Sequence, residues 1–357
     1  MKYNSFLKLL TFAFFCAFIA TSCVKEGPPG LDGTNGTNGT NGQNGANGAD
    51  GTAFCLNCHN DNTMGAIETE WSNSVHAKGG HAARASSADC ARCHAEEGFI
   101  AFTDNPKMAA VGITNANQIT CKACHNGLHV TFDAENDGED FALRNKGPVE
   151  IIIDPGQYID LNSKESNLCV NCHQVRTPAP EDENQYNSDD ELIDPAGDGM
   201  YTITSSHYGP HHAPQGNLII GKAGYQFMGN TDYPISGNTS TPHAQAGCVA
   251  CHMYEATDHP SHTFAPLKEA CAECHGAVTS FDIDGVQTEV DGLMAELETL
   301  LEEDGVLVNG SLKTGTYPLK QARAYYNFAM IEEERSHGVH NPDYVRALLK
   351  NTIEALQ

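Results

Sequence analysis

The sequence predicts a mainly α-helical fold with much irregular coil, and three observations predict it. Only 40% of the 357 residues are hydrophobic and 8% are aromatic, which is little for a core built from protein alone. Twelve of the 14 cysteines fall in six Cys-x-x-Cys-His pentapeptides. After the last pentapeptide, apolar residues recur with the 3.6-residue period of amphipathic helices, whereas alternating strand patterns are limited to short runs.

The composition excludes one class of partner. The formal net charge is −26 at pH 7. Proteins bind nucleic acid through a basic face, so we exclude nucleic acid as a partner. An acidic surface suits solubility and small or basic redox partners, but it does not identify one.

Residues 1–22 are predicted to be a lipoprotein signal peptide. Two lysines give a positive start, and residues 9–20 are apolar but too few to span a membrane as a helix. Small residues precede Cys23, the predicted lipidation site, although Ala20 stands where such signals usually have leucine. The alternative is ordinary cleavage nearby, which would release a free periplasmic protein. We therefore expect an exported outer-membrane lipoprotein on the periplasmic or the cell-surface side.

Residues 23–53 are predicted to be the lipidated cysteine and a collagen-like tether. Glycine occupies every third position from Gly27 to Gly51, the signature of the collagen triple helix, in which only glycine fits at the axis. Two alternatives stay open, because Pro28 and Pro29 are the only prolines in the repeat. The tether either forms a homotrimeric stalk or is a flexible polar spacer that lifts the rest of the chain off a membrane.

The six pentapeptides predict covalently bound haem. Cys-x-x-Cys-His is the attachment motif of haem c: both thiols lie on one side of a helical turn, and the following histidine binds the iron. Zinc sites and redox disulfides also use paired cysteines, but neither requires a histidine directly after the second one. The predicted attachment cysteines are Cys55, Cys58, Cys90, Cys93, Cys121, Cys124, Cys169, Cys172, Cys248, Cys251, Cys271 and Cys274. The predicted proximal ligands are His59, His94, His125, His173, His252 and His275.

These motifs predict one hexahaem domain over residues 54–357, in which the haems lie close together. The longest gap between attachment histidines runs from His173 to His252, and we place a candidate lobe border between 174 and 205 within it.

Eleven histidines lie outside the motifs, and bis-histidine ligation of six irons would use six of them. The candidate distal ligands are His76, His129, His207, His211, His212, His243, His262 and His340. Because His129 lies only four residues after His125, we expect it to serve a neighbouring haem. We expect His81, His259 and His337 at the surface or beside a ligand rather than on an iron. Methionine is the competing ligand, but Met253 is assigned to packing.

Two stretches resemble a known family. They are His211-His212-Ala-Pro-Gln215 through Met253 to His262-Thr-Phe264, and residues 324–329 followed by Ser336-His-Gly-Val-His340-Asn-Pro-Asp-Tyr344. Residues 54–357 are similar to exported multihaem c-type cytochromes related to the pentahaem nitrite reductases and the octahaem cytochromes. The resemblance implies a multihaem cytochrome c fold around six covalently bound haems, with long C-terminal helices and with His262 and His340 as distal ligands.

This chain departs from that family at one point. The nitrite reductases carry their catalytic haem on a motif that ends in lysine, whereas all six motifs here end in histidine. The departure argues against a nitrite-reducing site, and we assign no catalytic residue.

The remaining elements follow from periodicity and composition. Residues 286–303, 319–336 and 342–356 are predicted to be amphipathic helices. Residues 133–140 and 188–198 are acidic loops, and calcium binds such oxygen-rich turns. The alternative to a calcium site is a solvated loop, and we favour it. In the first loop, Arg144 occupies the position at which a calcium-binding loop has its last carboxylate ligand.

The sequence thus predicts an electron carrier of the cell envelope, with other redox proteins or extracellular electron acceptors as partners. One alternative is an oxidoreductase that reduces a small nitrogen or sulfur oxyanion at one open haem. Another is a surface structural or interaction module whose haems serve assembly or extracellular wiring.

Overall fold

The computed structural model describes residues 59–79, 82–105, 111–127, 129, 140–180, 199–257 and 259–357. All of them belong to one compact unit. The predicted signal peptide, Cys23, the tether, the first two attachment cysteines and most of both acidic loops lie outside the described residues. Those predictions therefore stay predictions.

The described part of the chain is rich in helix and has little sheet. Its helices are α1 (Asp61–Asn73), α2 (Val75–Lys78), α3 (Ala88–His94), α4 (Glu96–Asp104), α5 (Cys121–Cys124), α6 (Ser166–Val170), α7 (Gln215–Ile219), α8 (Pro242–His252), α9 (Lys268–His275), α10 (Val286–Glu303), α11 (Leu319–Glu334) and α12 (Pro342–Leu356). Two 3-10 turns lie at Ala82–Ser86 and Ile283–Gly285. Within these ranges no helix is both long and apolar enough to cross a bilayer.

Six short strands form three antiparallel pairs. They are β1 (Val149–Glu150) with β2 (Tyr158–Ile159), β3 (Met200–Ile203) with β6 (Gly315–Pro318), and β4 (Leu307–Val308) with β5 (Ser311–Leu312). The β3–β6 pair joins distant parts of the chain, with Met200 opposite Pro318. Strands this short cannot bury a face of their own, so helices and irregular segments carry the fold.

The first two helices are held by caps rather than by a protein core. The Asn60 side chain accepts the Thr63 N–H at 2.9 Å, and Ser74 accepts the Ala77 N–H at 3.3 Å, which satisfies donors left unpaired in a first helical turn. Neither α1 nor α2 buries a side chain. Short helices are marginal without packing, and the contacts of this pair with the rest of the chain include a hydrogen bond from Trp71 Nε1 to the Ile119 carbonyl at 3.1 Å.

The main core is built by α10, α11 and α12. Val290, Leu297 and Leu301 lie on one face of α10 and are fully buried in a cluster with Tyr326 of α11 and Tyr344 of α12. The three helices occupy the segments in which periodicity predicts amphipathic helices, except that α11 ends at Glu334 instead of residue 336.

Both sides of the gap 181–198 pack against α11. Val175 precedes the gap, Ile203 follows it, and both belong to the main core cluster. Tyr326 Oη donates to the Thr177 carbonyl at 2.6 Å, and Arg323 Nε donates to the Pro180 carbonyl at 2.9 Å. The lobe border between 174 and 205 lies partly outside the described residues and stays a prediction.

Candidate functional site

Each described cysteine pair lies on one short helical turn. The pairs are carried by α3, α5, α6 and the turn after it, α8, and α9. At two motifs the histidine N–H donates to the carbonyl of the first cysteine, at 2.8 Å for His125 and 3.0 Å for His173. A turn of this kind puts residues three apart on the same side, so the two thiols point the same way beside the histidine.

The six motif histidines each face one histidine from elsewhere in the chain. The pairs and the distances between ring centres are His59–His129 at 6.0 Å, His94–His211 at 6.2 Å, His125–His262 at 6.4 Å, His173–His76 at 6.3 Å, His252–His340 at 6.1 Å and His275–His243 at 6.2 Å. A metal–imidazole bond of about 2 Å, with about 1.1 Å from the nitrogen to its ring centre, places two rings about 6.2 Å apart across one iron. All six distances fit one iron between two imidazoles.

Hydrogen bonds orient several of these rings through Nδ1. In four rings the Nδ1 partner is a backbone carbonyl: that of Phe141 for His125 at 2.6 Å, of Asp140 for His129 at 2.6 Å, of Phe264 for His252 at 2.9 Å and of Pro260 for His262 at 2.7 Å. In His173 the Nδ1 partner is the side-chain oxygen of Gln215, at 3.1 Å. A ring that donates through Nδ1 would bind iron through Nε2, and such partners also fix the direction of the ring.

Burial keeps several paired histidines neutral. It lowers the pKa of His76 to about 4, with a smaller contribution from the nearby His173. Burial also lowers the pKa of His211 to about 4, and the positive charge of Arg176 adds to the effect. The pKa values of His173, His243, His252 and His262 are likewise lowered, chiefly by burial. Neutral imidazole is the form that binds a metal.

His340 has a different kind of partner. Its Nδ1 donates to Glu334, whose side chain is fully buried. Glu334 also accepts the backbone N–H of Ser336 at 2.9 Å and its hydroxyl at 2.7 Å. Burial alone would raise the pKa of Glu334, but the His340 charge and these hydrogen bonds outweigh it and lower that pKa. Burial alone would lower the pKa of His340, but the Glu334 charge and hydrogen bond outweigh it and raise that pKa, so each charge of the pair stabilises the other.

Two of the candidate distal ligands, His207 and His212, form no ring pair with a motif histidine among the described residues. His207 is exposed, and its backbone N–H donates to Ser205 Oγ at 3.1 Å. His212 lies beside His211, but its Nδ1 contacts Glu333 and its ring faces no motif histidine. The left-handed backbone of His211, with φ of 69°, turns adjacent side chains in different directions. We therefore remove His207 and His212 from the proposed ligands.

The other histidines take no part in these pairs. His259 is buried near Glu70, with 3.5 Å between Nε2 and Oε1, and His337 contacts Asp291 at 2.5 Å. His81 lies outside the described residues. For calcium, the described ranges contain no group of three or more His, Cys, Asp or Glu that could hold a metal ion, and the calcium site stays a prediction.

The fourth motif touches the second and packs on an apolar cluster shared with the third. Cys172 Sγ lies 3.9 Å from the Arg92 carbonyl, and the thiols of Cys172 and Cys93 contact each other. Cys172 and Cys124 pack against the same apolar cluster, which includes Leu168. The second cysteine of the fourth motif thus contacts the second motif and shares an apolar cluster with the third.

The fourth motif also touches the fifth. Ser166 Oγ accepts the Cys248 N–H at 2.8 Å, and the thiols of Cys169 and Cys248 contact each other. A Cβ at Gly247 would lie 2.5 Å from that Ser166 hydroxyl, and Gly247 has φ of 71°, so only glycine allows this approach.

Phe264 contacts three of the histidine pairs. Its ring centre lies 4.6 Å from that of His76 and 6.0 Å from that of His262, and its carbonyl accepts from His252. Its φ is 56°, in the left-handed region that a bulky residue rarely adopts. No sequence pattern pointed to Phe264, Gln215 or Glu334 as supports of the site. Phe264 and Gln215 each contact a histidine far away in the chain, and Glu334 meets His340 because the chain turns back after α11.

Known proteins give one informative comparison. No family model matches the chain. The chain is 24% identical over 263 residues to C-type polyheme cytochrome OmcC of Geobacter sulfurreducens. This match supports a multihaem c-type cytochrome. It covers 60% of this chain but only 31% of the relative, so the chain spans about a third of that protein's length.

A solved structure is also similar. The crystal structure of outer cell wall cytochrome OcwA aligns with a TM-score of 0.49 and 20% sequence identity, over 81% of this chain and 50% of that one.

A multihaem c-type cytochrome implies covalently bound haem c, and the residues present fit that group. The cysteines of the described pairs share one side of a turn, and each motif histidine has an opposing imidazole at the distance that one iron requires. Helices α1 and α2, which bury no side chain against protein, carry or flank His76 and would pack on haem.

Proposed function

We propose that the chain binds six haem c groups, each held by two histidines, and transfers electrons along them. The haems are numbered by motif order. The ligands are His59 and His129 for haem 1, His94 and His211 for haem 2, His125 and His262 for haem 3, His173 and His76 for haem 4, His252 and His340 for haem 5, and His275 and His243 for haem 6. The observation that carries the proposal is the set of six ring-centre distances between 6.0 and 6.4 Å.

Bis-histidine ligation suits electron transfer better than catalysis at iron. Haem supplies a one-electron couple, and two imidazoles leave no position for a substrate on the iron. The protein supplies the imidazoles, holds them through Nδ1 and buries them. Reduction of an oxyanion needs an iron with a free position. In the proposed ligand set every motif histidine has an opposing imidazole, so none of the six irons has one.

The contacts between motifs support a branched order with haem 4 at the branch. Haem 4 adjoins haem 2 through Cys172 and Cys93, haem 3 through Cys172 and Cys124, and haem 5 through Cys169 and Cys248.

The outer positions follow from shorter links. The His243 ring lies close to the backbone of Val339 and of His340, and His340 is a proposed ligand of haem 5, which supports a position of haem 6 beside haem 5. The Nδ1 partners of His125 and His129 are consecutive carbonyls, which places haem 1 beside haem 3. The proposed route therefore runs 6–5–4–3–1, with haem 2 as a branch.

We propose a place in the cell envelope on sequence features alone. A lipidated Cys23 and the glycine-repeat tether of 23–53 would hold the cytochrome at the outer membrane, and other redox proteins or extracellular electron acceptors would be its partners. The whole protein's partners and membrane side belong to this proposal.

Two measurements on protein matured with haem test the proposal. Intact mass should exceed the polypeptide mass by six haems. EPR of the oxidised protein, integrated over all signals, should show low-spin ferric iron throughout. A colourless protein of polypeptide mass would refute the haem assignment, and a high-spin signal near one sixth of the spin, with turnover of nitrite or hydroxylamine, would favour the oxidoreductase.

A further inference from the structure

Glu334 is a buried carboxylate that contacts a proposed iron ligand. It is the last residue of α11, and Arg335 follows with φ of 67°, so the chain turns back and returns His340 to it. The Glu334 side chain has no exposed area, and Oε1 accepts the Nδ1–H of His340. Few carboxylates are this deeply buried without a purpose or a partner.

The other oriented ligands have neutral partners. Where the structure describes an Nδ1 partner, it is a backbone carbonyl for His125, His129, His252 and His262, and an amide oxygen for His173. Among these described partners, Glu334 is the only carboxylate. His340 therefore differs from them in the charge beside its ring.

We propose that Glu334 is a tuning residue that lowers the reduction potential of haem 5. The inference rests on the proposed ligation of haem 5 by His252 and His340. Ferric haem carries one more positive charge than ferrous haem, so a nearby negative charge stabilises the ferric form more. The effect is large where water is excluded, because the local dielectric constant is low and salt does not screen. A carboxylate partner also makes the imidazole a stronger donor.

The position of haem 5 makes this lowered potential consequential. In the proposed order haem 5 lies between haem 4 and haem 6. An electron that moves between haem 4 and haem 6 would first pass from one of them to haem 5, which oxidises that donor and reduces haem 5. It would then pass from haem 5 to the other haem, which reduces that acceptor and oxidises haem 5 again. A lower potential at haem 5 would make the reduction of haem 5 by haem 6 less favourable and the reverse transfer, from haem 5 to haem 6, more favourable.

Ser336 moderates the charge on Glu334. The Ser336 hydroxyl and N–H both donate to Oε2, at 2.7 and 2.9 Å, and leave Oε1 for His340. Loss of the hydroxyl would leave more negative charge to act on His340. Glu334→Gln and Ser336→Ala should therefore shift the potential of haem 5 in opposite directions, which a merely structural role would not produce.

The test is an EPR-monitored redox titration of the six-haem protein and three variants. Glu334→Gln should raise the reduction potential of one haem by about 59 mV, which corresponds to about a tenfold change in the equilibrium constant of its one-electron reduction. Ser336→Ala should lower the potential of the same haem. Asp291→Asn is the matched control: Asp291 also binds a histidine Nδ1, but on exposed His337, which faces no motif histidine. It should change none of the six potentials.

The outcomes separate this inference from the proposed function. Unchanged potentials in a Glu334→Gln variant that keeps six low-spin haems would overturn the inference and leave the ligation intact. Equal shifts of the same sign in Glu334→Gln and Ser336→Ala would also overturn it. If Glu334→Gln does not mature, the sign of the Ser336→Ala shift decides. High-spin iron in the unaltered protein would instead refute the ligation itself.

Discussion

Adjacent histidines offer a sharp test of the ligand set. His211 lies opposite His94, with ring centres 6.2 Å apart, whereas the ring of His212 points to Glu333 and its side chain is 63% exposed. Substitution His211→Ala removes one imidazole from one iron of six. About one sixth of the ferric spin should therefore change from low to high spin, while His212→Ala should leave the spectrum unaltered.

The assay is EPR of oxidised protein, integrated by spin state, with haem content checked by intact mass. Added imidazole should return the His211→Ala protein to the low-spin form, because the ring fits the place that the substitution empties. The double variant His211→Ala with His212→Ala guards against replacement of one ring by the other. Fully low-spin iron in both the single and the double variant would refute the pairing of His94 with His211.

Three further predictions follow from the same geometry. The two ring planes are near perpendicular in three histidine pairs, at 90°, 82° and 81°, and closer to parallel in two, at 29° and 34°. Because the relative orientation of the rings sets the splitting of the iron orbitals, EPR should resolve two classes of low-spin signal, one strongly anisotropic and one rhombic. A single class would contradict the geometry. Removal of Cys169 and Cys172 should abolish the attachment of haem 4, whereas removal of Cys90 and Cys93 should abolish only haem 2, the branch. The first change should therefore slow electron equilibration among the haems after flash reduction far more than the second. Equal effects would argue against haem 4 as the branch point. Leu297→Ala should cost about 2–5 kcal/mol of unfolding free energy because Leu297 is fully buried, whereas Val308→Ala, at 49% exposure, should stay within about 0.5 kcal/mol by chemical denaturation.

Phe264 shows how the chain concentrates its supports. One residue with strained backbone contacts ligands assigned to haems 3, 4 and 5. Gln215 does the same on a smaller scale, because its amide oxygen accepts from His173 and its amide nitrogen donates to the Glu334 carbonyl at 2.9 Å. Such shared supports would allow the six proposed haems to be held by few residues.

Some of the site could be predicted from the sequence because its chemistry is local. A pentapeptide contains both thiols and the proximal imidazole, so attachment needs no knowledge of the fold. The N-cap of α12 is local too: Asn341 accepts the Tyr344 N–H at 3.2 Å, and Pro342 occupies the first turn. The amphipathic period likewise anticipated α10 and α12 to the residue.

By itself the sequence determined that the chain is acidic. It also predicted the haem attachment sites and the helices of the C-terminal third, because each of these properties depends on a few neighbouring residues or turns. Only the tertiary structure decided which distant histidine faces which motif, chose His211 over its neighbour His212, and brought Glu334 to His340. The histidine pairs join segments far apart in the chain, so their side-chain directions depend on the path of the whole backbone between them. Glu334 and His340 are only six residues apart, and the turn after α11 at Arg335 brings them together.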